Sequence, residues 1–239
     1  MMLTGEVTGM ASARPFALSI IIPALNEAAR IERTLDCLQA MRRRGSQVIL
    51  VDGNSTDGTA AVAAPLVDCV VTATPGRASQ MRAGLSAARH AAIWFLHADT
   101  LAPRNADVAI RTALQEETAG WGRFDVRLDG RRPVFRLVER LMNWRSCLTG
   151  ICTGDQGIFV LGELLDRAGG MPDLPLMEDI ELSKRLRRLS APCCLSEVIV
   201  TSSRRWETRG IVRTILLMWA LRAAYALGGD PQRLARLYR

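Results

Sequence analysis

Three aspartates stand where apolar runs stop. Asp52 follows the run 48–51, Asp99 closes His97-Ala98-Asp99 after the run 92–96, and Asp179 lies in Leu176-Met177-Glu178-Asp179 ahead of a helical stretch. A carboxylate at the carboxyl end of a buried strand faces the edge where open α/β sheets bind ligands. Oxygen ligands of this kind suit a hard cation such as Mg²⁺ or Mn²⁺, which needs only one or two carboxylates plus a substrate's phosphates. With a reference pKa near 3.9, an aspartate is also ionised at neutral pH and available as a general base. A single strand-end aspartate more often caps a turn or helix; three of them make a constellation.

The stretch 48–59, V-I-L-V-D-G-N-S-T-D-G-T, sets the type. Gly53 and Gly58 allow a tight turn after Asp52, and Thr56 or Asp57 is placed to cap the next helix. Their glycine spacing imitates a phosphate-binding P-loop, but Thr59 occupies the lysine position and the only lysine of the chain is Lys184. No G-x-G-x-x-G follows any strand candidate, so the dinucleotide fingerprint is excluded too. The distinctive group is the carboxylate.

The elements that must position these acids alternate. Residues 18–22 read as a buried strand stopped by Pro23, and Asn26 is placed to cap a helix with Ala28, Ile31, Leu35 and Leu38 on one face. Strands at 48–51, 69–72 and 92–96 are separated by helices from Thr59 and over 77–90. This βαβαβαβ order predicts a largely parallel sheet flanked by helices. Beyond a helix at 103–117 the pattern changes. Residues 122–128 alternate, with Phe124, Val126 and Leu128 facing in and Arg123, Asp125 and Arg127 facing out. A helix over 133–148 carries Val134, Leu137, Val138, Leu141 and Met142 on one side, expected to close the core, with the border of a second-substrate pocket as the alternative. A buried strand over 156–161, a helix from Leu176 to Leu189 and a short strand at 198–201 follow.

With 239 residues, 49% of them apolar, the chain suits one α/β domain. Its net charge of +7 is almost entirely arginine, which suits anionic ligands, but no basic block is interleaved with aromatics, so nucleic acid is not an expected partner. Six cysteines show no metal-ligand spacing. The expectation is a disordered leader over 1–17, reduced thiols and a cytoplasmic protein. The apolar stretch 211–227 carries Arg213 and Arg222 about 180° apart, which argues against a spanning helix or a one-sided interfacial one. It is read as a packing helix or homodimer contact, with shallow attachment to the inner membrane face as the alternative.

Five ordered motifs carry a resemblance: S-I-I-I-P-A-L-N-E at 19–27, V-D-G-N-S-T-D-G-T at 51–59, H-A-D at 97–99, M-E-D at 177–179 and R-R-W at 204–206. Together they resemble the family 2 glycosyltransferases of the GT-A fold, a Rossmann-like architecture, over roughly residues 18–206. The combination of H-A-D with G-D-Q-G at 154–157 and P-L-M-E-D-I at 175–180 looks like a small bacterial subgroup linked to arsenosugar biosynthesis. The resemblance implies a catalytic domain over 18–210 with a helical segment, 211–239, packed on it.

By position, the resemblance implies that Pro23, Ala24, Glu27 and Asp52 line the nucleoside pocket of a sugar-nucleotide donor, a UDP-sugar above others. Arg77, His97 and Ala98 lie near that donor, and Asp99 approaches a divalent cation and the diphosphate. Most members have D-x-D where this chain has His97-Ala98-Asp99, so the first acid is replaced and Asp99 keeps the position nearest the cation. Asp179 is the implied general base, with Glu178 the alternative. Arg205 meets the diphosphate and Trp206 borders the acceptor, while Ser202 replaces the glutamine of the processive motif Q-x-x-R-W. Asp155 and Gln156 fall on the acceptor side. These roles describe an inverting, metal-assisted, non-processive transferase acting on an acceptor hydroxyl. A nucleotidyltransferase making sugar nucleotides is disfavoured by the missing early lysine, and a non-catalytic nucleotide-binding protein rests only on His97 and Ser202.

Overall fold

The computed structural model describes residues 17–115 and 119–238, so the leader expected over 1–17 lies outside the described residues except for Ala17. Strands β1 (Leu18–Ala24), β2 (Gln47–Asp52), β3 (Cys69–Thr72) and β4 (Ala92–Phe95) run parallel, connected by α1 (Ala28–Arg43), α2 (Thr59–Ala63) and α3 (Arg77–Ala87). Successive residues of β1 and β2 face opposite layers. Ile20, Ile22, Val48 and Leu50 join one core, and Ile21, Ile49 and Val51 the other. Burial on both faces is why these strands read as unbroken apolar runs.

The second half extends the sheet with mixed polarity. The additional strands are β5 (Thr100–Leu101), β6 (Trp121–Leu128), β7 (Phe159–Leu161) and β8 (Cys193–Thr201), and the full order is β3-β2-β1-β4-β7-β6-β8-β5. In a flat sheet the four steps from β4 to β5 would span about 19 Å. The linker, residues 96–99, reaches at most about 17 Å. The sheet must therefore curl around that linker, which is the segment His97-Ala98-Asp99.

Several sequence expectations need correction. β1 continues through Pro23 to Ala24. Beyond Ile21 the neighbouring β4 has ended, so the amide hydrogen that proline lacks has no ladder partner to miss. Asn26 does not cap α1. Its backbone is left-handed, and the first amides of the helix are met from the neighbouring loop: Glu27 N–H donates to Thr59 Oγ1 at 2.9 Å and Ala28 N–H to Asp57 Oδ2 at 2.9 Å. The strand expected over 156–161 is shortened to β7, with a 3₁₀ turn at Gly154–Gln156 before it.

Arg123, expected to face outward, is buried, ion-paired to Asp125 and donating to the Asn143 carbonyl at 2.9 Å. The helix α5 (Pro133–Thr149) is turned the other way from expectation, leaving Leu137 58% and Leu141 48% exposed. β6 pairs with β7 only at Trp121 and Gly122, so the rest of that edge needs other partners. α5 supplies them: Glu139 Oε1 accepts from Leu128 N–H at 2.7 Å, and Asn143 meets both Val126 N–H and Val126 O. The polar face turns inward because it closes an open strand edge.

After α4 (Ala106–Gln115) and α6 (Gly162–Arg167), the remaining helices α7 (Glu178–Arg187), α8 (Arg204–Arg209), α9 (Ile211–Ala226) and α10 (Pro231–Tyr238) gather at the carboxyl edge. Leu176, Met177, Ile180, Leu221 and Leu234 form a third small core that seats α9 and α10 against the start of α7. Among the described residues no helix is long and apolar enough to cross a membrane. Cys147 and Cys194 are joined in a disulfide, with Cα atoms 5.9 Å apart. That corrects the expectation of wholly reduced thiols and arises because the end of α5 lies beside the start of β8.

Candidate active site

A cleft of about 590 Å³ opens where the curled sheet's carboxyl edge meets α3, α8 and α9. Of the residues singled out from sequence, Pro23, Ala24, Glu27, Arg77, His97, Ala98, Asp99, Asp155, Asp179, Arg205 and Trp206 all line it. They come from positions as far apart as 23 and 206, brought together because parallel strands end at one edge. Three others do not line it. Asp52 is buried beneath, Glu178 is buried behind Arg77, and Gln156 is fully buried, its amide donating to Ser146 Oγ at 2.8 Å.

At the β1–β2 end, Asp52 Oδ2 accepts from Ser55 N–H at 3.0 Å, which closes the turn after β2. Asp52 Oδ1 is buried without a hydrogen-bond partner among the described residues, an acceptor suited to an incoming N–H donor. Gln80, from α3, donates to the carbonyls of Ala24 and Val51 at 2.8 Å each and ties the two strand ends together. A Cβ on Gly53 would come within 3.0 Å of that amide, so this position must stay small. Across the opening, Arg204 of α8 donates to Glu27 Oε1 at 2.6 Å and bridges the two sides of the cleft.

The centre holds the charged groups. His97 Nδ1 lies 3.1 Å from Asp155 Oδ1. Burial would raise the Asp155 pKa, but His97, Arg77 and Arg205 outweigh it and hold the carboxyl below the ordinary range. Asp99 goes the other way: burial pushes its carboxyl up, and Asp155 adds to this while His97 opposes it. Opposite shifts in adjacent acids mark a site organised for more than solvation. Asp99 is half-buried and faces the cleft, so with phosphate oxygens from a ligand it could hold a hard cation. Among the described residues no three His, Cys, Asp or Glu side chains gather on one point.

Asp179 sits in the first turn of α7, entered through the left-handed Met177. Its Oδ2 accepts from Gly154 N–H at 2.8 Å and its Oδ1 from Ile180 N–H at 2.7 Å, fixing the carboxylate toward the cleft. Glu178 pairs with Arg77 at 3.4 Å. Burial pushes the Glu178 carboxyl up, Asp179 adds to this, and Arg77 pulls it back. Burial would lower the Arg77 pKa, but Glu178 and the other nearby anionic groups raise it above the ordinary value.

Sequence reasoning missed Gln80 and Tyr238, and it gave no role to Gly154 or Arg204, which it held only as members of motifs. Gln80 is a polar residue on a buried helix face, an available but weak signal. Tyr238 had none. It arrives on α10, where its ring lies 3.7 Å from the Arg205 guanidinium and its hydroxyl meets the same group.

The curled sheet with its flanking helices defines the GT-A class, and solved structures agree in fold. A mannosyltransferase from Pyrobaculum calidifontis, in complex with GDP-Man and Mn²⁺, is 24% identical with a TM-score of 0.65, over 89% of this chain and 62% of the other. Glucosyl-3-phosphoglycerate synthase from Mycobacterium tuberculosis, solved with Mn²⁺, UDP and glucosyl-3-phosphoglycerate, gives 20% and 0.58 over 77% and 71%. TarS residues 1–349 from S. aureus, with UDP, give 17% and 0.64 over 78% and 60%. The chain thus spans about three fifths of the length of the first and last of these. No curated protein matches. The family description Glycosyl transferase family 2 matches residues 19–150, and the chain belongs to that family.

Proposed function

We propose that the chain transfers a sugar from a nucleoside-diphosphate donor, a UDP-sugar above others, to an acceptor hydroxyl with inversion, and that Asp179 is the general base. The observation that carries this is the convergence of Asp99, Asp155, Asp179 and Arg205 on one cleft, with the unpartnered Oδ1 of Asp52 buried beneath its other end. The neighbours' complexes with UDP or GDP-Man support the donor class.

In this reading the base of the nucleoside rests over Gly53 and donates to Asp52 Oδ1, and Arg77 and Arg205 hold the diphosphate. Asp179, held by two backbone amides, takes the proton of the acceptor hydroxyl. The acceptor oxygen then bonds the anomeric carbon, and the bond from that carbon to the diphosphate breaks with its electron pair leaving on the diphosphate. The residues fit a divalent cation, Mg²⁺ or Mn²⁺, through the half-buried Asp99 carboxylate together with the donor's own phosphates. Bound there, such an ion neutralises charge developing on the leaving group. His97 lines the donor's side of the cleft in this reading: one nitrogen meets Asp155, and the other, buried and without a partner among the described residues, faces Gly154.

A nucleotidyltransferase reading is weaker because Lys184, the only lysine, stacks 4.5 Å over Tyr225, away from the cleft. The catalytic unit is proposed to span 18–210, with 211–239 walling the acceptor side. The exposed face of 211–227 suits a second copy or the inner, cytoplasmic face of a membrane.

The test is Asp179→Asn, with UDP affinity measured by calorimetry alongside donor turnover. Affinity is expected within twofold of wild type, and transfer reduced roughly 10²–10⁴-fold, the usual worth of a positioned base. Parallel loss of both would remove Asp179 from that role.

A further inference from the structure

One short turn, Gly154–Gln156, stands between His97 and Asp179. On one side its Gly154 N–H donates to Asp179 Oδ2 at 2.8 Å. On the other, His97 Nδ1 lies 3.1 Å from Asp155 Oδ1, and the imidazole packs so closely on Gly154 that a Cβ there would lie 2.5 Å from Nε2 and 2.9 Å from Cε1. A carboxylate partner requires an N–H on Nδ1, while Nε2 is buried against the glycine without a hydrogen-bond partner among the described residues. The same ring therefore holds the turn both by a hydrogen bond and by contact.

The ring itself stands on a firm base. Its linker leaves β4 with Leu96 N–H donating to the Ile21 carbonyl at 3.0 Å, and the Ala98 carbonyl accepts from Thr34 Oγ1 of α1 at 2.8 Å. Other elements fix the back of the turn: the Gln156 amide donates to Ser146 Oγ of α5 at 2.8 Å, and Trp94 Nε1 donates to the Gly157 carbonyl at 3.1 Å. The front of the turn, Gly154 and Asp155, lines the cleft and is braced by His97. A misplacement of about 1 Å in a catalytic group can cost about 10²-fold in rate, so whatever steadies the Gly154 amide also sets how well Asp179 is aimed.

We infer that His97 is a positioning residue: from the curl of the sheet it braces the Gly154–Gln156 turn, and through the Gly154 amide it holds the Asp179 carboxylate in place, without touching the reacting atoms. This deepens the proposed transferase reading and rests on it only for the consequence in catalysis; the brace itself stands on the geometry of the turn. An aspartate at position 97 would repel Asp155 where the imidazole pairs with it.

The test is amide hydrogen exchange at Gly154, followed by NMR on the full chain, beside turnover measured as UDP release from UDP-glucose with Mg²⁺. His97→Ala is expected to speed Gly154 exchange by about tenfold or more, the worth of a charge-assisted hydrogen bond, and to lower kcat by more than it raises the donor KM. His97→Asn should restore slow exchange, because its amide N–H falls where Nδ1 was; His97→Gln should not, because its amide reaches the place of Nε2. Asp155→Ala, the more exposed end of the pair, is expected to match His97→Ala, with the double variant no worse than either alone. Should His97→Ala fail to fold, Asp155→Ala carries the same measurement. Gly154 exchange within twofold of wild type in these variants overturns the brace, as does recovery by glutamine but not by asparagine; faster exchange with kcat unchanged overturns the positioning role. If exchange speeds up as expected but Asp179→Asn leaves UDP release intact, the brace stands and the proposed base falls. If wild type releases no UDP, the result counts against the proposed donor, and exchange alone decides the brace.

Discussion

At the scale of single residues, the site depends on how few atoms separate its charged groups. Gly154 is the hinge between them: its N–H holds Asp179, and a Cβ at this position would lie 2.5 Å from His97 Nε2. Gly154→Ala is therefore expected to displace the His97–Asp155 pair and to lower transfer by about tenfold or more, with an overpacking cost of about 1–3 kcal/mol. Thermal unfolding together with donor turnover checks both. Cys152 illustrates the opposite kind of residue. Burial pushes its thiol up to about 12, so it remains protonated and enclosed. It is expected to resist iodoacetamide at pH 8 in the native protein and to react once denatured, as mass spectrometry would show. The acids at 52, 99 and 179 were legible because each ends or follows an apolar run. The pairing of Asp155 with His97 was not, because it joins loops 58 residues apart whose approach depends on the sheet's curl.

At the scale of elements, the seating of α9 and α10 on α7 determines whether the cleft keeps the wall formed by Thr214, Met218 and Tyr238. Besides the small core, the attachment uses Glu181, which accepts from Tyr225 Oη at 2.9 Å and pairs with Arg185 at 3.0 Å. Burial would raise the Glu181 pKa, but Arg185 and Tyr225 outweigh it and hold it below the ordinary range. A depressed folded-state pKa means the contribution is present above the unfolded glutamate value and is lost as pH falls through the folded one. Tyr225→Phe is expected to cost about 1 kcal/mol at neutral pH, the net worth of a hydrogen bond, and to flatten the acid limb of stability. Urea unfolding across the acid range measures it. The α5 helix carries the clearest lesson about legibility: its apolar spacing pointed Leu137 and Leu141 inward, but the open edge of β6 required the face bearing Glu139 and Asn143. Unsatisfied strand amides outrank an apolar stripe, and one chain's periodicity does not reveal which edge is open.

At the scale of the whole molecule, two exposed apolar rows remain, one on α5 with Trp144 at 66% exposure and one on α9 with Trp219 at 70%. Neither belongs to the core of this chain. Leu216→Ser and Trp219→Ser are expected to change stability by no more than about 0.5 kcal/mol, as for ordinary surface positions. Leu221→Ala, one position in the same helix that is buried, is expected to cost about 2–5 kcal/mol. Denaturant unfolding of the three variants distinguishes a free face from a packed one. A core contribution from Trp219 comparable with that of Leu221 would contradict the placement of α9.

The sequence by itself determined the alternating half of the molecule: four parallel strands, their helices and the acidic strand ends, because local periodicity and turn chemistry act within about twenty residues. Tertiary structure alone decided the rest. The curl that brings β5 back beside β8, the burial of Arg123 and Gln156, the Cys147–Cys194 link and the arrival of Tyr238 at Arg205 all depend on which segments become neighbours after the sheet closes. That is a property of the packed whole, with polar groups choosing partners far away in the chain.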